Sequence, residues 1–202
     1  MTLHPAAHVE RDALIAAAID CFRSTPFHLV GLGQVAARAG TTVTVLHEHF
    51  ADRDELVVAA SSAWFARRMT PILPIAERAG AVPFLRAIVV ANIADPGLMR
   101  FLSALVNLAA FEDHPLSPHL QQQWLRFHAL VQRTLAADVA AGREPDGIDV
   151  ARGAEQLVAL YEGLQLQALV RPSIDLLGAF DRAVARLRAG WSEPLAPVVW
   201  AV

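Results

Sequence analysis

Two of the eight histidines, the one cysteine and a pair of adjacent serines are the residues whose positions raise the question of metal binding or nucleophilic attack. His47 and His49 stand two positions apart in a helical pattern, where side chains point about 200° away from each other and cannot share one ion. Cys21 falls on or near a packed helix face, which is typical of a small buried hydrophobe. Ser61 and Ser62 lie inside a predicted helix, without the elbow of a hydrolase nucleophile. With no glycine-rich phosphate loop or carboxylate pair, the sequence predicts no metal, no cofactor and no enzyme activity.

A second set of side chains, aromatic and polar, is dispersed among the aliphatic residues from Trp64 onward. Trp124 and His128 share one helix face, and Tyr161 and Gln165 share another. A buried polar side chain needs a partner, and several on converging helices are typical of a ligand pocket. Core packing is the alternative interpretation of any single aromatic in the set. The predicted ligand-binding residues are Trp64, Phe65, Asn92, Phe101, Asn107, Phe111, Trp124, His128, Tyr161 and Gln165. Because none is an acid or an arginine, we expect an apolar or aromatic ligand with one or two hydrogen-bonding groups.

The elements that position these residues are all predicted to be helices. Apolar residues recur at spacings of three and four, and no stretch alternates strictly as an exposed strand would. Gly, Pro and capping residues punctuate the pattern, which predicts an all-α fold of about nine helices and an irregular tail from residue 191. The predicted helices cover about 9–22, 32–39, 41–49, 53 to the prolines at 71 and 74, 82–93, 95–111, 119–141, 149–170 and 174–188.

Composition restricts the class of protein. The chain has 202 residues, of which 54% are hydrophobic and 18% charged, so it is neither a disordered chain nor a coiled coil. No uncharged apolar run reaches the length of a membrane span, and the first residues lack the pattern of a signal peptide. The single cysteine excludes an internal disulfide framework. We therefore expect a soluble, cytoplasmic protein without a membrane partner.

Charge by itself does not indicate a nucleic-acid-binding protein. All 17 basic residues are arginines, and residues 1–60 hold four of them against seven acids, a net charge of −3. The remaining residues balance. A DNA-binding segment ordinarily has a basic surface, so a DNA-binding function has to be argued from motifs.

Residues 11–56 carry such a motif. A short scaffold helix and a short recognition helix are separated by Ala39-Gly40, small residues that allow the sharp turn of a helix-turn-helix unit. The stretch resembles the TetR family of bacterial transcriptional regulators, whose usual pattern has an I-A-x-x-A-G turn followed by L-Y-x-H-F. The residues in register are Leu14, Ile15, Ala17, Ala18, Phe22, Val35, Ala36, Ala39, Gly40, Leu46, His49, Phe50 and Arg53. Residues 160–187 resemble, more loosely, the dimerisation region of the same family.

The resemblance implies a helix-turn-helix DNA-binding domain over 1–56 and a helical ligand-binding and dimerisation domain over 57–202. It implies a repressor that binds double-stranded operator DNA as a homodimer, through about 149–170 and 174–188, and that a small apolar or aromatic effector releases. The DNA-binding residues predicted by the resemblance and by base-reading chemistry are Gln34, Thr41, Thr42, Val43, Thr44, His47, His49 and Arg53.

Some positions differ from the family pattern. Val30-Gly31 stand where a Thr or Ser usually begins the scaffold helix, and Val43 replaces a common Lys or Arg. Glu48 adds a negative charge near the predicted groove-facing surface. Each lost phosphate contact reduces the counterion-release contribution to DNA affinity. The alternative hypothesis is therefore a ligand- or partner-binding homodimer of this fold whose reading head, the helix-turn-helix unit of residues 11–56, has weak or lost DNA affinity.

Overall fold

The computed structural model describes residues 10–191 of the chain, and every regular element in that range is a helix. The prediction of an all-α fold is confirmed. Residues 10–191 contain ten α-helices, where about nine were expected, together with a short 3-10 helix at Phe27–Leu29. The α-helices are α1 (Arg11–Ser24), α2 (Leu32–Arg38), α3 (Val43–His49), α4 (Arg53–Met69), α5 (Leu73–Ala79), α6 (Ala81–Ala94), α7 (Pro96–Ala109), α8 (Ser117–Ala140), α9 (Val150–Val170) and α10 (Leu176–Gly190).

The additional helix is α5, at the place where two prolines were expected to leave an irregular break. Pro74 lies in the first turn of α5, where the missing N–H would have had no partner inside the helix. A proline in that position starts a helix as readily as it stops one. The predicted start of α1 at Val9 and the predicted irregular tail beyond Trp191 lie outside the described residues.

Several helix starts are held by short polar side chains. Thr42 accepts a hydrogen bond from the Val45 amide at the start of α3, and Asp52 accepts one from the Glu55 amide at the start of α4. In return the Glu55 carboxylate accepts a bond from the Ala51 amide, 2.7 Å away. Such caps satisfy amides that a helix leaves unpaired at its N-terminus, and the Asp52 cap marks the start of α4 as a new helix after α3.

The described residues form two compact units. The first comprises residues 10–71 and 94–123, and the second comprises residues 72–93 and 124–191. The first unit therefore contains α1 to α4, α7 and the beginning of α8. The second contains α5, α6, the rest of α8, α9 and α10. The predicted functional boundary between residues 56 and 57 lies within α4 and stays a prediction.

Stacked aromatic rings form the centre of the first unit. Phe101 of α7 stacks on Phe22 of α1, with ring centroids 4.7 Å apart, and on Trp64 of α4, at 5.5 Å. Gly97 lets α7 approach α1, since a Cβ there would lie 2.6 Å from the backbone oxygen of Arg23. The first unit is thus built around α7 as well as around the helices of the predicted DNA-binding domain.

In the second unit, buried carboxylates connect the helix ends. Asp138 of α8 accepts a hydrogen bond from the Ala81 amide, 2.7 Å away, at the start of α6, and one from Arg143 Nε at 2.8 Å. Glu144 accepts a bond from Arg188 Nε of α10 at 3.0 Å. Each carboxylate is buried with a guanidinium partner, as buried charges require. The apolar core between these helices includes Phe84, Leu135, Leu157 and Phe180.

No single described helix is both long and apolar enough to cross a membrane, although α6 and α7 meet the length and composition criteria as a bent pair.

Candidate DNA interface and effector site

The turn between α2 and α3 has the geometry that the sequence predicts. Gly40 adopts a φ of 68°, a left-handed conformation that glycine tolerates best, and the Thr41 amide bonds back to the Ala36 carbonyl at 2.9 Å. Leu46 and Phe50 point into the core of the first unit. Because this face of α3 is buried, the opposite face is left at the surface.

The surface of α3 is formed by the residues predicted to read DNA. Thr42, Val43, Thr44 and His47 are exposed, together with Glu48. These side chains can accept or donate hydrogen bonds at base edges, or contact a thymine methyl group in the case of Val43. None of them is a permanent cation, so α3 would contribute base contacts rather than phosphate charge.

The other predicted DNA-binding residues lie around α3. Thr41 and His49 are half-buried, and the His49 ring lies next to the Phe50 ring. Gln34 is exposed on α2, and its amide nitrogen donates to Thr25 Oγ1 at 3.3 Å. The structure therefore leaves most of the predicted reading face accessible, while contact with DNA stays a prediction.

Arg53 has a structural role that the sequence did not reveal. Its Nε donates to the Val30 carbonyl and its Nη2 to the Phe27 carbonyl, both at 2.8 Å, and its guanidinium lies 4.4 Å from the centre of the Phe27 ring. Burial lowers the pKa of Arg53, since the charged form has lost part of its hydration. The side chain ties the start of α4 to the segment between α1 and α2, and its predicted phosphate contact would have to coexist with this role.

Two further arginines of residues 1–60 are bound to carboxylates of the first unit. Arg38 pairs with Asp20 at 2.9 Å, and Arg23 pairs with Asp95 at the same distance. The hydrogen bond to Asp20 raises the pKa of Arg38. Arg11, the fourth, lies over the Phe50 ring at 4.8 Å and is exposed. Arg11 is thus the one of the four for which no carboxylate or carbonyl partner is described.

Of the predicted ligand-binding residues, five belong to the first unit. Trp64 and Phe101 are brought together, but as stacked rings in the core, with the Arg23 guanidinium over the Trp64 ring at 5.0 Å. Phe65 and Phe111 are exposed, and Asn107 donates to the Ser103 carbonyl of its own helix. In this structure Trp64 and Phe101 pack as core residues. A ligand-binding role for the five residues stays a prediction.

The other five belong to the second unit, and two of them meet directly. Asn92 Nδ2 of α6 donates to Tyr161 Oη of α9 at 3.0 Å, in a buried setting. Gln165 lies one turn further along α9 and is buried, while His128 is half-buried and Trp124 exposed on α8. This part of the predicted set has the mixture of apolar and polar groups that a ligand site requires.

Two residues of this region are not in the set of ligand-binding residues predicted from the sequence. Phe127 connects the aromatic side chains, with its ring 5.8 Å from Tyr161 and 6.2 Å from Trp124. Its position three residues after Trp124 is a helical spacing that would have found it. Glu162 has a buried Oε1 atom, and burial raises the pKa of its carboxyl. No spacing rule reveals a half-buried carboxyl, since its burial depends on the helices around α9.

Within residues 10–191 no group of three or more His, Cys, Asp or Glu side chains is arranged to hold a metal ion.

Comparison with protein families matches two parts of the chain. Residues 14–60 match the model of bacterial regulatory proteins of the TetR family, and residues 77–191 match the C-terminal domain of BetI-type transcriptional repressors. A search of curated proteins finds no match.

Solved structures with this fold include a TetR transcription regulator from Haloarcula marismortui ATCC 43049, with a TM-score of 0.77 and 14% identity over 89% of this chain and 96% of that one. FadR from Bacillus subtilis, solved in complex with stearoyl-CoA, has a TM-score of 0.74 and 13% identity over 90% and 99% of the two chains. SmeT of Stenotrophomonas maltophilia, the repressor of a multidrug efflux pump, has a TM-score of 0.68 and 21% identity over 94% and 95%.

These structures share the fold, and the two family models extend over most of the chain. The turn at Gly40 and the exposed face of α3 agree with the helix-turn-helix expected for the first of them. This protein belongs to the TetR family of bacterial transcriptional regulators, with a C-terminal domain of the BetI type.

Proposed function

We propose that the protein is a repressor that binds operator DNA as a homodimer and is released by a small apolar or aromatic effector. The observation that carries the proposal is the division of α3 into a buried face, with Leu46, and an exposed face, with Thr44 and His47. A helix held in this way can place its exposed face in a major groove. SmeT, which has the same fold, is a repressor, and this supports repression as the proposed direction of regulation.

A homodimer is supported by the exposed apolar residues of α9. Leu166 and Val170 are 62% and 75% exposed, on the side of the helix opposite to the buried Leu157 and Tyr161. A helix with apolar residues on two faces is expected to bury both, and a second copy of α9 and α10 would cover the outer one. Sedimentation at micromolar concentration should show a dimer, and a stable monomer would contradict the proposal.

Effector binding is proposed for the second unit, around Asn92, Tyr161 and Gln165. Trp124 and Phe127 supply aromatic surface near these polar groups. FadR, which has the same fold, is known in complex with stearoyl-CoA, so the fold accommodates a partly apolar ligand. In the proposed mechanism the effector favours a conformer whose two recognition helices no longer match half-sites about 34–36 Å apart. Effector and DNA would then oppose each other through a coupling free energy.

A second candidate function is favoured by the arginines of the reading head. Because Arg23, Arg38 and Arg53 are bound within the first unit, few cations remain for phosphate. A helical homodimer that binds a ligand or a protein partner, with weak DNA affinity, would have this arrangement.

A mobility-shift assay on DNA flanking the protein's own gene separates the two functions. Retardation that unlabelled specific DNA competes away, and unrelated DNA does not, is expected for the repressor. Glu77→Gln, on exposed α5, serves as a control variant that should bind like the native protein. The absence of any specific complex would favour the second function.

A further inference from the structure

Two buried polar atoms on α9 have no hydrogen-bonding partner among the residues that the structure describes. One is Nε2 of Gln165, a residue only 4% exposed, and the other is Oε1 of Glu162. A buried donor or acceptor that stays unpaired loses its hydration without compensation, and folded proteins contain few such atoms. A site that receives a polar group of a ligand would explain why both polar side chains occupy buried positions.

The two side chains are close enough in sequence to bind one group together. Residues three apart on a helix are neighbours, with Cβ atoms roughly 5–6 Å apart. Side chains at that spacing can both reach a single oxygen atom, which accepts a bond from Gln165 and donates one to Glu162, each of about 2.8 Å. The spacing therefore favours one shared ligand group over two independent ones.

An aromatic surface adjoins this polar pair. Tyr161 precedes Glu162 and lies one turn before Gln165, and its ring is 5.8 Å from that of Phe127. Its hydroxyl is occupied by Asn92 Nδ2 at 3.0 Å. Gln165 and Glu162 thus lie on the same stretch of α9 as an aromatic side chain whose own hydroxyl already has a partner.

The polarity of the two atoms restricts the ligand. An ammonium group could donate to Glu162 but would leave the Gln165 donor without an acceptor. A carboxylate could accept from Gln165 but would meet the like charge of an ionised Glu162. A hydroxyl or a carboxamide can both accept and donate, and so can satisfy both atoms.

We infer that the effector is an uncharged molecule with an aromatic or apolar body and a hydroxyl or carboxamide group, which accepts a hydrogen bond from Gln165 and donates one to Glu162. This inference rests on the proposed function, because it places the effector in the second unit. The raised pKa of Glu162 is consistent with it, since burial there disfavours additional charge.

The test measures binding of matched probes to the full chain, free of DNA, by calorimetry. The probes are alkylbenzenes with tails of two to eight carbons and the 4-alkylphenols, 4-alkylbenzamides, 4-alkylbenzylamines and 4-alkylbenzoates of the same lengths. At the best tail length we expect the phenol or the benzamide to bind at least about tenfold more tightly than the alkylbenzene, which corresponds to one good hydrogen bond. The amine and the benzoate should bind no more tightly than the alkylbenzene.

Gln165→Met and Glu162→Met test the assignment of the two residues. Both remove hydrogen-bonding groups while keeping the length of the side chain, so each should reduce the preference for the phenol or benzamide to within about threefold. Glu155→Met, on the exposed side of α9, and Gln122→Met, on exposed α8, are the matched controls and should keep the preference. Without ligand, Gln165→Met should raise the melting temperature by about 2–4 °C, because an unpaired buried amide is removed.

Three results would overturn the inference: tightest binding by the amine or the benzoate, an unchanged preference in both Met variants, or no binding by any probe. A lower melting temperature of Gln165→Met would also overturn it, since it would show that the amide is paired in the folded protein. These results are independent of DNA binding. Loss of the specific complex in the mobility-shift assay would count against the repressor function and would leave the probe measurements valid.

Discussion

In the first unit, three of the four arginines of residues 1–60 donate to oxygen atoms of the unit itself, whereas in the second unit Gln165 and Glu162 keep buried atoms without a described partner. The contrast separates charges that hold the fold from buried polar atoms that no described residue satisfies. For the reading head it means that counting arginines overestimates the cations that can reach DNA. For the second unit it means that Gln165 and Glu162 are the polar groups that the proposed effector would engage.

The largest effect is expected from the stacked rings of the first unit. Phe101→Ala removes the contacts with Phe22 and Trp64 and should lower the free energy of unfolding by about 3–5 kcal/mol, measured in urea. Phe111→Ala removes an aromatic ring that is 65% exposed and should change it by no more than about 0.5 kcal/mol. Equal effects of the two substitutions would show that α7 is not part of the body of the first unit.

Replacing Arg53 tests whether its role is structural or phosphate-binding. Lysine keeps the charge but cannot reach two carbonyls with a planar fork, so Arg53→Lys should lower the free energy of unfolding by about 1–3 kcal/mol. Arg67→Lys, on the exposed last turn of α4, should leave it unchanged. Unchanged stability of Arg53→Lys, with DNA affinity retained, would restore Arg53 to a mainly phosphate-binding role.

Trp124 tests whether the aromatic surface of the second unit binds ligand. Apolar compounds that bind the folded protein should raise its melting temperature, by an amount equivalent to about 2.7 kcal/mol at a hundred times the dissociation constant. Trp124→Ala should remove that shift and leave the dimer intact in sedimentation, while Leu125→Ala, at the exposed neighbouring position, should keep it. A full shift in Trp124→Ala would place the pocket elsewhere.

The salt dependence of DNA binding measures how many cations the head has available. With three arginines engaged in the fold, the slope of log affinity against log salt should be shallow for the dimer, on the order of −4 or less. Arg11→Gln should make it shallower still, whereas Thr44→Ala should weaken mainly the specific complex and keep the slope. A slope near −8 or steeper would mean that further cations reach the phosphates.

The smallest effect is expected at Glu162. Burial raises its pKa in the folded protein, so the unfolded chain releases this proton at a lower pH than the folded one, and the charged carboxyl destabilises the fold above that range. Glu162→Gln should therefore raise the free energy of unfolding near pH 7, by at most about 1 kcal/mol for a half-exposed group, and the gain should vanish near pH 4. Glu155→Gln is the exposed control. A gain that persists at pH 4 would exclude this electrostatic origin.

Much of the reading head follows from local sequence. The turn after Ala39 requires a residue in the left-handed conformation, which Gly40 supplies. Thr42 and Asp52 cap the helices that begin after them. The spacing of Leu46 and Phe50 determines which face of α3 is buried, and hence which residues are exposed. These features depend on residues within one or two turns of each other, and pattern rules describe that range well.

The position of α5 shows where local rules leave a choice. A proline is compatible both with the end of a helix and with the first turn of the next one, so Pro71 and Pro74 do not by themselves distinguish a break from a new helix. Similarly, an aromatic residue on a helix face is compatible with a core or with a pocket. Trp64 and Phe101 are core residues in this structure, while Tyr161 lies among polar groups.

The sequence by itself determined that the protein is helical, where its turn-helix motif lies and which family that motif resembles, because helical periodicity, capping and turn chemistry are local properties. Only the tertiary structure decided that Arg53 donates to carbonyls more than twenty residues away, that α7 packs on α1 at Gly97, and that Gln165 and Glu162 are buried without a described partner. Each of these depends on contacts between residues far apart in the chain, and the partner of a polar side chain is known only when those residues have been brought together.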